Sequence, residues 1–442
     1  MICQYRTAQL VGKAPVASSY GNRREALFLI TGHNILCLSP CAWDDHWGPQ
    51  QQIISRLAEA NRVLFIELPV SPLSPFTGWH KGTWMRQIWR WHHGFRRGDK
   101  PKLMIASPPP VFPFRYHKLT NYLNQKILLR YLESAMERLG YKNPLLITFQ
   151  ADSGALVRRM NACAKVYYCT DDWSASGRWW QPAEKVRERE TELVKACDLV
   201  FATSRRLASR LERLGTPSYF NPNGADFELF SQAQGVEPPP EISTLKRPII
   251  GFVGMITPHS FDTDLMFWLA KRHPEWTFVI AGKKLARDPD LSRLEQLPNL
   301  RFVGFQPLNM LPRYLAGMDV CLIPLRQTEW IKSAFSLKLF EYLGAGKPIV
   351  TTWTEEFLPY QDLIYLTRTY TEFEQCIVKA LRENTPELVG RRMGLARENT
   401  WDGRVAQFSK IVQAFLNGPA LASAERKRRH EASLRSIHAG PE

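Results

Sequence analysis

The run SAFSLKLFEYLGAGKPIV, residues 333–350, joins a serine-rich start to a short amphipathic helix, two glycines and an apolar strand. Ser333 and Ser336 are good N-cap residues for a helix that carries Lys338 and Glu341. A helix N-terminus attracts a diphosphate, and Lys338 adds a full positive charge. Glu341 lies three residues later on the same face, where it can bind ribose hydroxyls. The alternative is a surface helix with a Lys–Glu pair. The occurrence of serines, lysine, glutamate and glycines together in one segment favours a nucleotide site.

Predicted strands and helices alternate along most of the chain. Short apolar runs alternate with longer helical stretches, which predicts parallel sheets covered on both faces. The predicted strands are 35–38, 63–66, 103–106, 145–149, 165–169, 199–202, 249–253, 277–281, 300–303, 320–323 and 348–351. The predicted helices are 50–60, 116–139, 153–160, 182–196, 204–214, 262–272, 309–316, 337–343, 372–382 and 401–416. This pattern predicts an α/β fold with two doubly wound, Rossmann-like halves that face each other across a cleft.

A length of 442 residues fits two such domains. Three consecutive prolines at 238–240 mark the break between them. The predicted segments are an N-terminal extension (1–33), a first Rossmann-like domain (34–235), a linker (236–247), a second Rossmann-like domain (248–400), a C-terminal helix (401–417) and a flexible basic tail (418–442).

The composition limits the classes of partner. A net charge of +16 favours nucleic acid, an acidic membrane or phosphorylated substrates. No zinc finger or RNA-recognition signature appears, so nucleic acid is not expected. The eight cysteines form no CxxC pair, which predicts reduced thiols and no metal site. There is no apolar run of about 18 residues and no signal-peptide pattern, so we expect a cytoplasmic protein.

Two further pairs of residues follow predicted strands. Gly254 would let the backbone approach a ligand, and Thr257 offers a hydroxyl, although a tight turn explains the glycine equally well. Asp171 and Asp172 offer two neighbouring carboxylates to a ligand. Their alternative role is to cap the next helix or a turn.

Residues 79–97 read WHKGTWMRQIWRWHHGFRR. Trp84, Ile88, Trp91 and Phe95 are spaced to fall on one face of a helix. The arginines around that face are Arg86, Arg90, Arg96 and Arg97. Aromatic and basic side chains on one helix fit the headgroup region of an anionic bilayer. The alternative is a tryptophan-rich lid or core helix.

The run FEYLGAGKPIV at 340–350 resembles the donor-binding motif of retaining glycosyltransferases with the GT-B fold, the group four class. Further runs resemble other motifs of that family: CDLVFATS (197–204), NPNGAD (221–226), NLRFVGF (299–305) and AGMDVCLIP (316–324). SPCAWD at 39–44 and DDW at 171–173 are similar to a bacterial branch typified by teichuronic-acid and capsule-type sugar transferases.

This resemblance implies transfer of a sugar from a nucleotide diphosphate sugar to a polysaccharide or a lipid-linked acceptor. The anomeric configuration is retained, and neither a metal nor a cofactor is expected. Glu341 would hold the ribose and Lys338 the diphosphate, while the donor phosphate takes the acceptor proton. The first domain would bind the acceptor and the second the donor. Many members of the family place a histidine after the strand that ends here at Cys169, where this chain offers Asp171 and Asp172, which can orient the sugar or the acceptor. The candidate catalytic residues are therefore Asp171, Asp172 and Lys338, and the candidate donor-binding residues are Gly254, Thr257, Ser333, Ser336, Lys338 and Glu341.

Two departures from the family pattern leave other functions open. Ser333 stands where the family has a glutamate that contacts the donor sugar. The loop after Gly254 lacks the usual arginine and lysine, so Arg326, Lys332 or Lys338 would have to supply their charge. A nucleotide-sugar epimerase of the same fold and a non-catalytic sugar-nucleotide-binding protein are the alternatives.

Overall fold

The computed structural model of the chain describes residues 30–45, 47–71, 83–113, 117–175, 182–284 and 289–418. Three predicted features lie partly or wholly outside the described residues. They are residues 1–29 of the extension, the tail after residue 418, and residues 79–82 of the aromatic–basic segment.

The first half of the chain forms one eight-stranded sheet. Its strands are β1 (Asn34–Leu38), β2 (Arg62–Ile66), β3 (Phe95–Arg97), β4 (Leu103–Ala106), β5 (Leu145–Thr148), β6 (Ala164–Cys169), β7 (Leu199–Ala202) and β8 (Ser218–Phe220). Their order is β3-β4-β2-β1-β5-β6-β7-β8. Neighbours are parallel except for β3 and β4, which are antiparallel.

The second half forms a six-stranded, fully parallel sheet. Its strands are β9 (Ile249–Val253), β10 (Thr277–Ala281), β11 (Leu300–Gly304), β12 (Val320–Ile323), β13 (Ile349–Thr352) and β14 (Tyr365–Thr367). Their order is β11-β10-β9-β12-β13-β14.

Helices cover the faces of both sheets. In the first half they are α1 (Pro49–Ala60), α2 (Thr83–His93), α3 (Lys118–Leu139), α4 (Gly154–Arg159), α5 (Ala183–Ala196) and α6 (Arg205–Glu212). After them come α7 (Phe227–Phe230), α8 (Pro240–Ser243), α9 (Thr263–Arg272), α10 (Pro289–Glu295), α11 (Leu311–Gly317), α12 (Glu329–Lys332), α13 (Lys338–Gly344), α14 (Tyr370–Arg382), α15 (Pro386–Glu398) and α16 (Trp401–Asn417).

Burial explains why the strands read as continuous apolar runs. Every residue of β6, β9 and β10 is buried, as expected where helices pack on both faces of a parallel sheet. The last helix, α16, crosses back to the first half, where Trp401, Val405 and Phe408 join the core on one face of the first sheet. The predicted α/β fold with two parallel sheets is confirmed.

Each sheet has one point where the strand order reverses. In the first sheet it lies between β1 and β5, and in the second between β9 and β12. Ligands of doubly wound folds bind outside the carboxyl ends of the strands at such points. The loop after β1 and the loop after β9 therefore occupy the two positions where a ligand is expected.

The aromatic–basic helix is shorter than the sequence pattern suggests. The prediction that Phe95 continues the helical face of Trp84, Ile88 and Trp91 is wrong. The helix α2 ends at His93, Gly94 has a φ of 79°, and Phe95 begins the short strand β3. The glycine is the signal that ends the helix, since a left-handed conformation after the last turn is typical of glycine.

Candidate functional site

Gly254 follows β9 and lies against the first residue of α13. Its φ is 156°, and a Cβ atom at this position would lie 2.1 Å from Lys338 Cε and 2.5 Å from Lys338 Nζ. A Cβ atom on Gly251 would instead lie 2.0 Å from Met318 Sδ. Gly251 therefore serves core packing, whereas Gly254 leaves room for the Lys338 side chain. Contact between Gly254 and a ligand stays a prediction.

Lys338 and Glu341 are half-buried and make no hydrogen bond or ion pair with described residues. Within the described parts of the chain, neither side chain makes a hydrogen bond or an ion pair, and the Lys338 ammonium lies 5.3 Å from the centroid of the Phe252 ring. Burial lowers the pKa of Lys338 and raises the pKa of Glu341, and each charge partly offsets the shift of the other. Because unpaired charges are costly in a protein interior, such groups indicate a ligand site.

The prediction that Ser333 and Ser336 cap this helix is wrong. The N-cap of α13 is Leu337, and no side chain accepts a hydrogen bond from the first turn. Ser333 is 2% exposed and ends the preceding short helix α12, where its N–H donates to Trp330 O at 3.1 Å. With no cap and only seven residues, α13 offers the charge of its lysine rather than a prepared anion site at its N-terminus.

A contact between the two halves explains where α13 begins. Asn223, in the NPNGAD run of the first half, donates from Nδ2 to Phe335 O at 2.7 Å. Leu337 packs against the core of the first half. These contacts hold residues 335–337 outside the helix. The sequence motif gave Asn223 as part of a family resemblance but did not reveal this role.

Two of the three candidate basic residues remain available to an anionic ligand. Lys332 Nζ lies 2.5 Å from the carboxylate of the glutamate three residues earlier. Arg326 makes no side-chain hydrogen bond within the described residues, and its Nη2 is buried. The Arg326 N–H donates to Ser260 O at 2.9 Å, and the Ser260 hydroxyl shares a 2.7 Å hydrogen bond with Thr257 Oγ1. Arg326 and Lys338 thus keep free charge, and Thr257 is held within its own turn.

Asp171 and Asp172 follow β6 at the carboxyl edge of the first sheet. Burial raises the pKa of Asp171 to about 7. Asp172 Oδ1 accepts hydrogen bonds from the Ser174 N–H at 3.1 Å and from the Ser174 hydroxyl at 2.5 Å. Asp172 therefore stabilises a turn. The helix-cap alternative is wrong, because α5 begins at Ala183 and its N-cap is Pro182.

Contacts across the cleft place this aspartate loop opposite the second half. Trp173 meets Trp330 edge to face, with ring centroids 5.3 Å apart. Close by, Arg206 of α6 lies 3.2 Å from Glu329 of α12. A catalytic role for Asp171 or Asp172 stays a prediction.

Glu341 also lines a small pocket to which both halves contribute. Trp47 and Gln52 come from the first half, and Leu308 and Leu337 come from the second. Sequence reasoning did not identify Trp47. The available signal was its position just after the SPCAWD run that the family resemblance covers.

Comparison with known proteins relates this geometry to a family. Residues 247–383 match the family profile described as "Glycosyl transferases group 1". Over 267 residues the chain is 28% identical to the putative teichuronic acid biosynthesis glycosyltransferase TuaH of Bacillus subtilis (strain 168). That match covers 56% of this chain and 66% of the Bacillus protein, just under two thirds of its length.

Solved structures with the same architecture align over most of the chain. Sucrose-phosphate synthase from Thermosynechococcus elongatus aligns with a TM-score of 0.66 at 14% identity, over 86% of this chain and 99% of that one. Anabaena HepE in complex with UDP and glucose aligns with a TM-score of 0.59 at 16% identity, over 87% of this chain and 100% of that one.

A UDP-forming α,α-trehalose-phosphate synthase from Burkholderia vietnamiensis aligns with a TM-score of 0.63 at 10% identity, over 88% of this chain and 99% of that one. At identities this low, these three structures show the fold alone. The chain thus has the GT-B fold, and its residues 247–383 match a glycosyl transferase group 1 profile, in agreement with the resemblance predicted from its motifs.

Proposed function

We propose that this chain is a retaining glycosyltransferase that moves a sugar from a nucleoside diphosphate sugar to a glycan or a lipid-linked acceptor of cell-surface polysaccharide synthesis. One observation carries the proposal. Lys338 and Glu341 are half-buried, oppositely charged and without a hydrogen bond or ion pair among the described residues, at the switch point of the second sheet. A ligand with both anionic oxygens and hydroxyl groups satisfies both side chains, and a nucleoside diphosphate has this combination.

The chemistry needs charge stabilisation more than a nucleophile. As the bond between the anomeric carbon and the diphosphate breaks, negative charge builds on the leaving oxygen. The Lys338 ammonium stabilises that charge in a site of low polarity. The acceptor oxygen bonds to the anomeric carbon on the same face, and its proton passes to the departing diphosphate. No metal enters this scheme, so we expect EDTA to leave the rate unchanged.

The loop after β6 would bind the acceptor. With a pKa of about 7, Asp171 is partly ionised at neutral pH and can accept a hydrogen bond from an acceptor hydroxyl. Asp172 holds that loop in place through Ser174. We therefore assign Asp171 to acceptor orientation and Asp172 to positioning.

Removal of the Glu341 carboxylate tests the donor site. We expect Glu341→Ala to weaken the binding of UDP at least tenfold in calorimetric titration, with unchanged thermal unfolding. Glu387→Ala is the matched control, because Glu387 is an exposed glutamate on α15 of the same half. UDP affinity that is the same in wild type and Glu341→Ala would overturn the site assignment.

Turnover separates the proposed activity from its alternatives. Wild-type protein should release nucleoside diphosphate from its sugar donor only when an acceptor is present, and NMR of the product should give the donor's anomeric configuration. An isomerised donor sugar without acceptor would point to an epimerase. Nucleotide binding without any turnover over a panel of acceptors would point to a non-catalytic binding protein.

We further propose that α2 touches an anionic membrane surface, which suits a lipid-linked acceptor. Met85 and Trp89 of this helix are 64% and 59% exposed. No helix in the described parts of the chain is long and apolar enough to cross a membrane. An aromatic and aliphatic face of this kind, next to basic groups, is typical of binding in the plane of the headgroups.

Hydrogen bonds link α2 to the loop after β2, and that loop to the loop after β4. The loop at residues 68–71 accepts a hydrogen bond from Gln87 of α2 at Leu68 O (3.2 Å) and one from the Val111 N–H at Val70 O (2.8 Å). Beyond Val111, more large apolar side chains are exposed. They are Phe112, Leu119 and Tyr122.

Two of the four arginines predicted to face lipid do not contribute free charge. Arg90 lies 2.6 Å from Asp44, and Arg96 lies 2.7 Å from Glu67, so both clamp the protein itself. Arg97 is exposed and has no partner among the described residues. The apolar face should therefore contribute more to membrane binding than the arginines do.

Vesicle sedimentation tests the membrane contact. Wild-type protein should pellet with phosphatidylglycerol vesicles more than with phosphatidylcholine vesicles, and Met85→Ser should reduce that binding. Phe305→Ser is the control, since Phe305 is equally exposed at 64% but lies in the second half. Equal loss in both variants, or no vesicle binding by wild type, would contradict the proposal.

A further inference from the structure

Trp47 belongs to the loop between β1 and α1, and it lines the same pocket as Glu341. We infer that Trp47 completes the nucleoside half of the donor site from the first half of the chain. Its indole ring would then contribute to donor affinity, although the other donor-binding residues lie in the second half. The inference rests on the proposed function, since it assumes a nucleoside diphosphate as the ligand.

The loop that carries Trp47 is firmly built. The Trp43 N–H donates to Glu67 Oε1 at 2.9 Å, and the Gly48 N–H donates to Gln51 Oε1 at 3.1 Å. The Gln51 amide, buried in α1, returns a 3.1 Å hydrogen bond to Ala42 O. These bonds fix the loop on both sides of Trp47.

Aromatic packing places the ring itself. Trp47 meets Trp43 edge to face, with centroids 5.8 Å apart, and Trp43 meets Phe65 of β2 in the same way at 4.9 Å. Trp43 is almost fully buried, whereas Trp47 is 38% exposed. A large ring held on one side by the core and open on the other is well prepared to receive a flat ligand.

The other polar groups of the pocket are already used. Gln52 Oε1 accepts a 2.6 Å hydrogen bond from Arg56, and Asp226 Oδ1 caps α7 through the Leu229 N–H at 3.3 Å. Glu341 is the carboxylate left without a partner among the described residues that line the pocket.

The remaining lining suits a nucleoside. Leu308 and Leu337 supply aliphatic surface beside Trp47 and Glu341. The enclosed space is about 20 Å³, room for about one water molecule, so a nucleoside would bind at the open side of the pocket, with ribose hydroxyls at Glu341 and the base on the exposed face of Trp47. A diphosphate alone would find no positive charge in this pocket, whose described lining contains neither lysine nor arginine. The pocket therefore favours the nucleoside over the phosphates.

The topology agrees with separate binding of the nucleoside and the diphosphate. The loop after β1 lies at the switch point of the first sheet, and the Gly254 loop lies at that of the second. In a two-sheet fold that closes over a ligand, these edges face one ligand from opposite sides. Lys338 then meets the diphosphate, while Trp47 meets the nucleoside.

Calorimetric titration with two ligands tests the inference. We expect Trp47→Ala to weaken UDP binding at least tenfold and to raise the KM for the donor, with kcat changed less than threefold. Trp47→Phe should stay within about threefold of wild type, because it keeps an aromatic ring. Inorganic pyrophosphate should bind Trp47→Ala as well as it binds wild type, since it lacks a nucleoside.

Trp91→Ala is the matched control, since Trp91 is 39% exposed on α2 of the same half, and its UDP affinity should not change. If Trp47→Ala binds UDP like wild type while Glu341→Ala does not, the inference is overturned and the proposed function stands. Equal loss of UDP and pyrophosphate in Trp47→Ala would also overturn it. Failure of wild type to bind any nucleoside diphosphate would instead overturn the proposed function.

Discussion

Two glutamates, Glu67 in the first half and Glu341 in the second, are held in opposite ways. In the first half, Glu67 is fully buried and accepts hydrogen bonds from the Trp43 N–H at 2.9 Å, from Arg96 at 2.7 Å and from the Ser107 hydroxyl. In the second half, Glu341 has no partner among the described residues.

Glu190, another buried carboxylate of the first half, repeats the pattern of Glu67. It accepts hydrogen bonds from Tyr167 at 2.8 Å and from Arg210 at 2.6 Å. Glu67 and Glu190 are thus paired within the first half, whereas Lys338 and Glu341 keep their charges for a ligand. A charged donor bound by the second half and an acceptor positioned mainly by shape and hydrogen bonds would explain this difference.

The largest expected effect comes from breaking the network of the first half. Glu67→Ala leaves the Trp43 N–H and the Ser107 hydroxyl without their acceptor, and Arg96 keeps only Asp44, at 3.1 Å. Loss of one partner from a buried pair costs about 3–5 kcal/mol of the free energy of unfolding. We expect a drop of several degrees in the midpoint of thermal unfolding, measured by circular dichroism.

Glu341→Ala should affect stability much less than Glu67→Ala does. Because this carboxylate makes no hydrogen bond or ion pair among the described residues and only offsets the charge of Lys338, its removal should change the free energy of unfolding by less than about 1 kcal/mol. Similar losses of stability in Glu67→Ala and Glu341→Ala would remove the distinction between the two halves.

The second prediction concerns the space that Gly254 leaves for Lys338. Gly254→Ala would place a Cβ atom 2.1 Å from Lys338 Cε at a φ of 156°. The lysine side chain has to move, and the strained backbone costs about 1–3 kcal/mol. We expect pyrophosphate and UDP to bind about tenfold more weakly. Gly390→Ala, at an open position of α15, is the control.

Most of the fold was predictable from the sequence because buried parallel strands have a strong signal. The predicted strands 103–106, 199–202, 249–253, 277–281 and 320–323 coincide with β4, β7, β9, β10 and β12. The short edge strands β3, β8 and β14 were not predicted, because three residues carry too little pattern. Helix α15 was also missed, although Thr385 and Pro386 form an N-cap and N1 pair.

The candidate site was predictable only in part. Lys338 and Glu341 were identified from their spacing, and the structure leaves both free for a ligand. The start of α13 was predicted to within one residue, but its cap was wrong, because Leu337 and not a serine is the N-cap and Asn223 of the first half donates to Phe335 O just before it. Trp47 was missed for the same reason: local sequence does not reveal which distant loop completes a pocket.

The smallest expected effect concerns Asp171, the acidic group of the first half that is not part of a charge network like that of Glu67. Its pKa is raised to about 7 in the folded protein, against about 3.9 in an unfolded chain. Between these values the folded protein binds more protons, so this group makes stability fall as pH rises from about 4 to about 7.

Asp171→Asn removes this proton-linked cost. Asp171 keeps some exposure to solvent, so we expect a gain on the order of 1 kcal/mol at pH 8 and none at pH 4. The rate should show the opposite trend. If the ionised carboxylate orients the acceptor, wild-type kcat/KM rises with pH up to about 7, whereas the slower asparagine variant shows no such rise. A variant that gains stability at pH 8 but keeps the wild-type pH profile would place Asp171 outside the reaction. The burial of Asp171 would then only lower stability, and another group in the cleft would have to orient the acceptor.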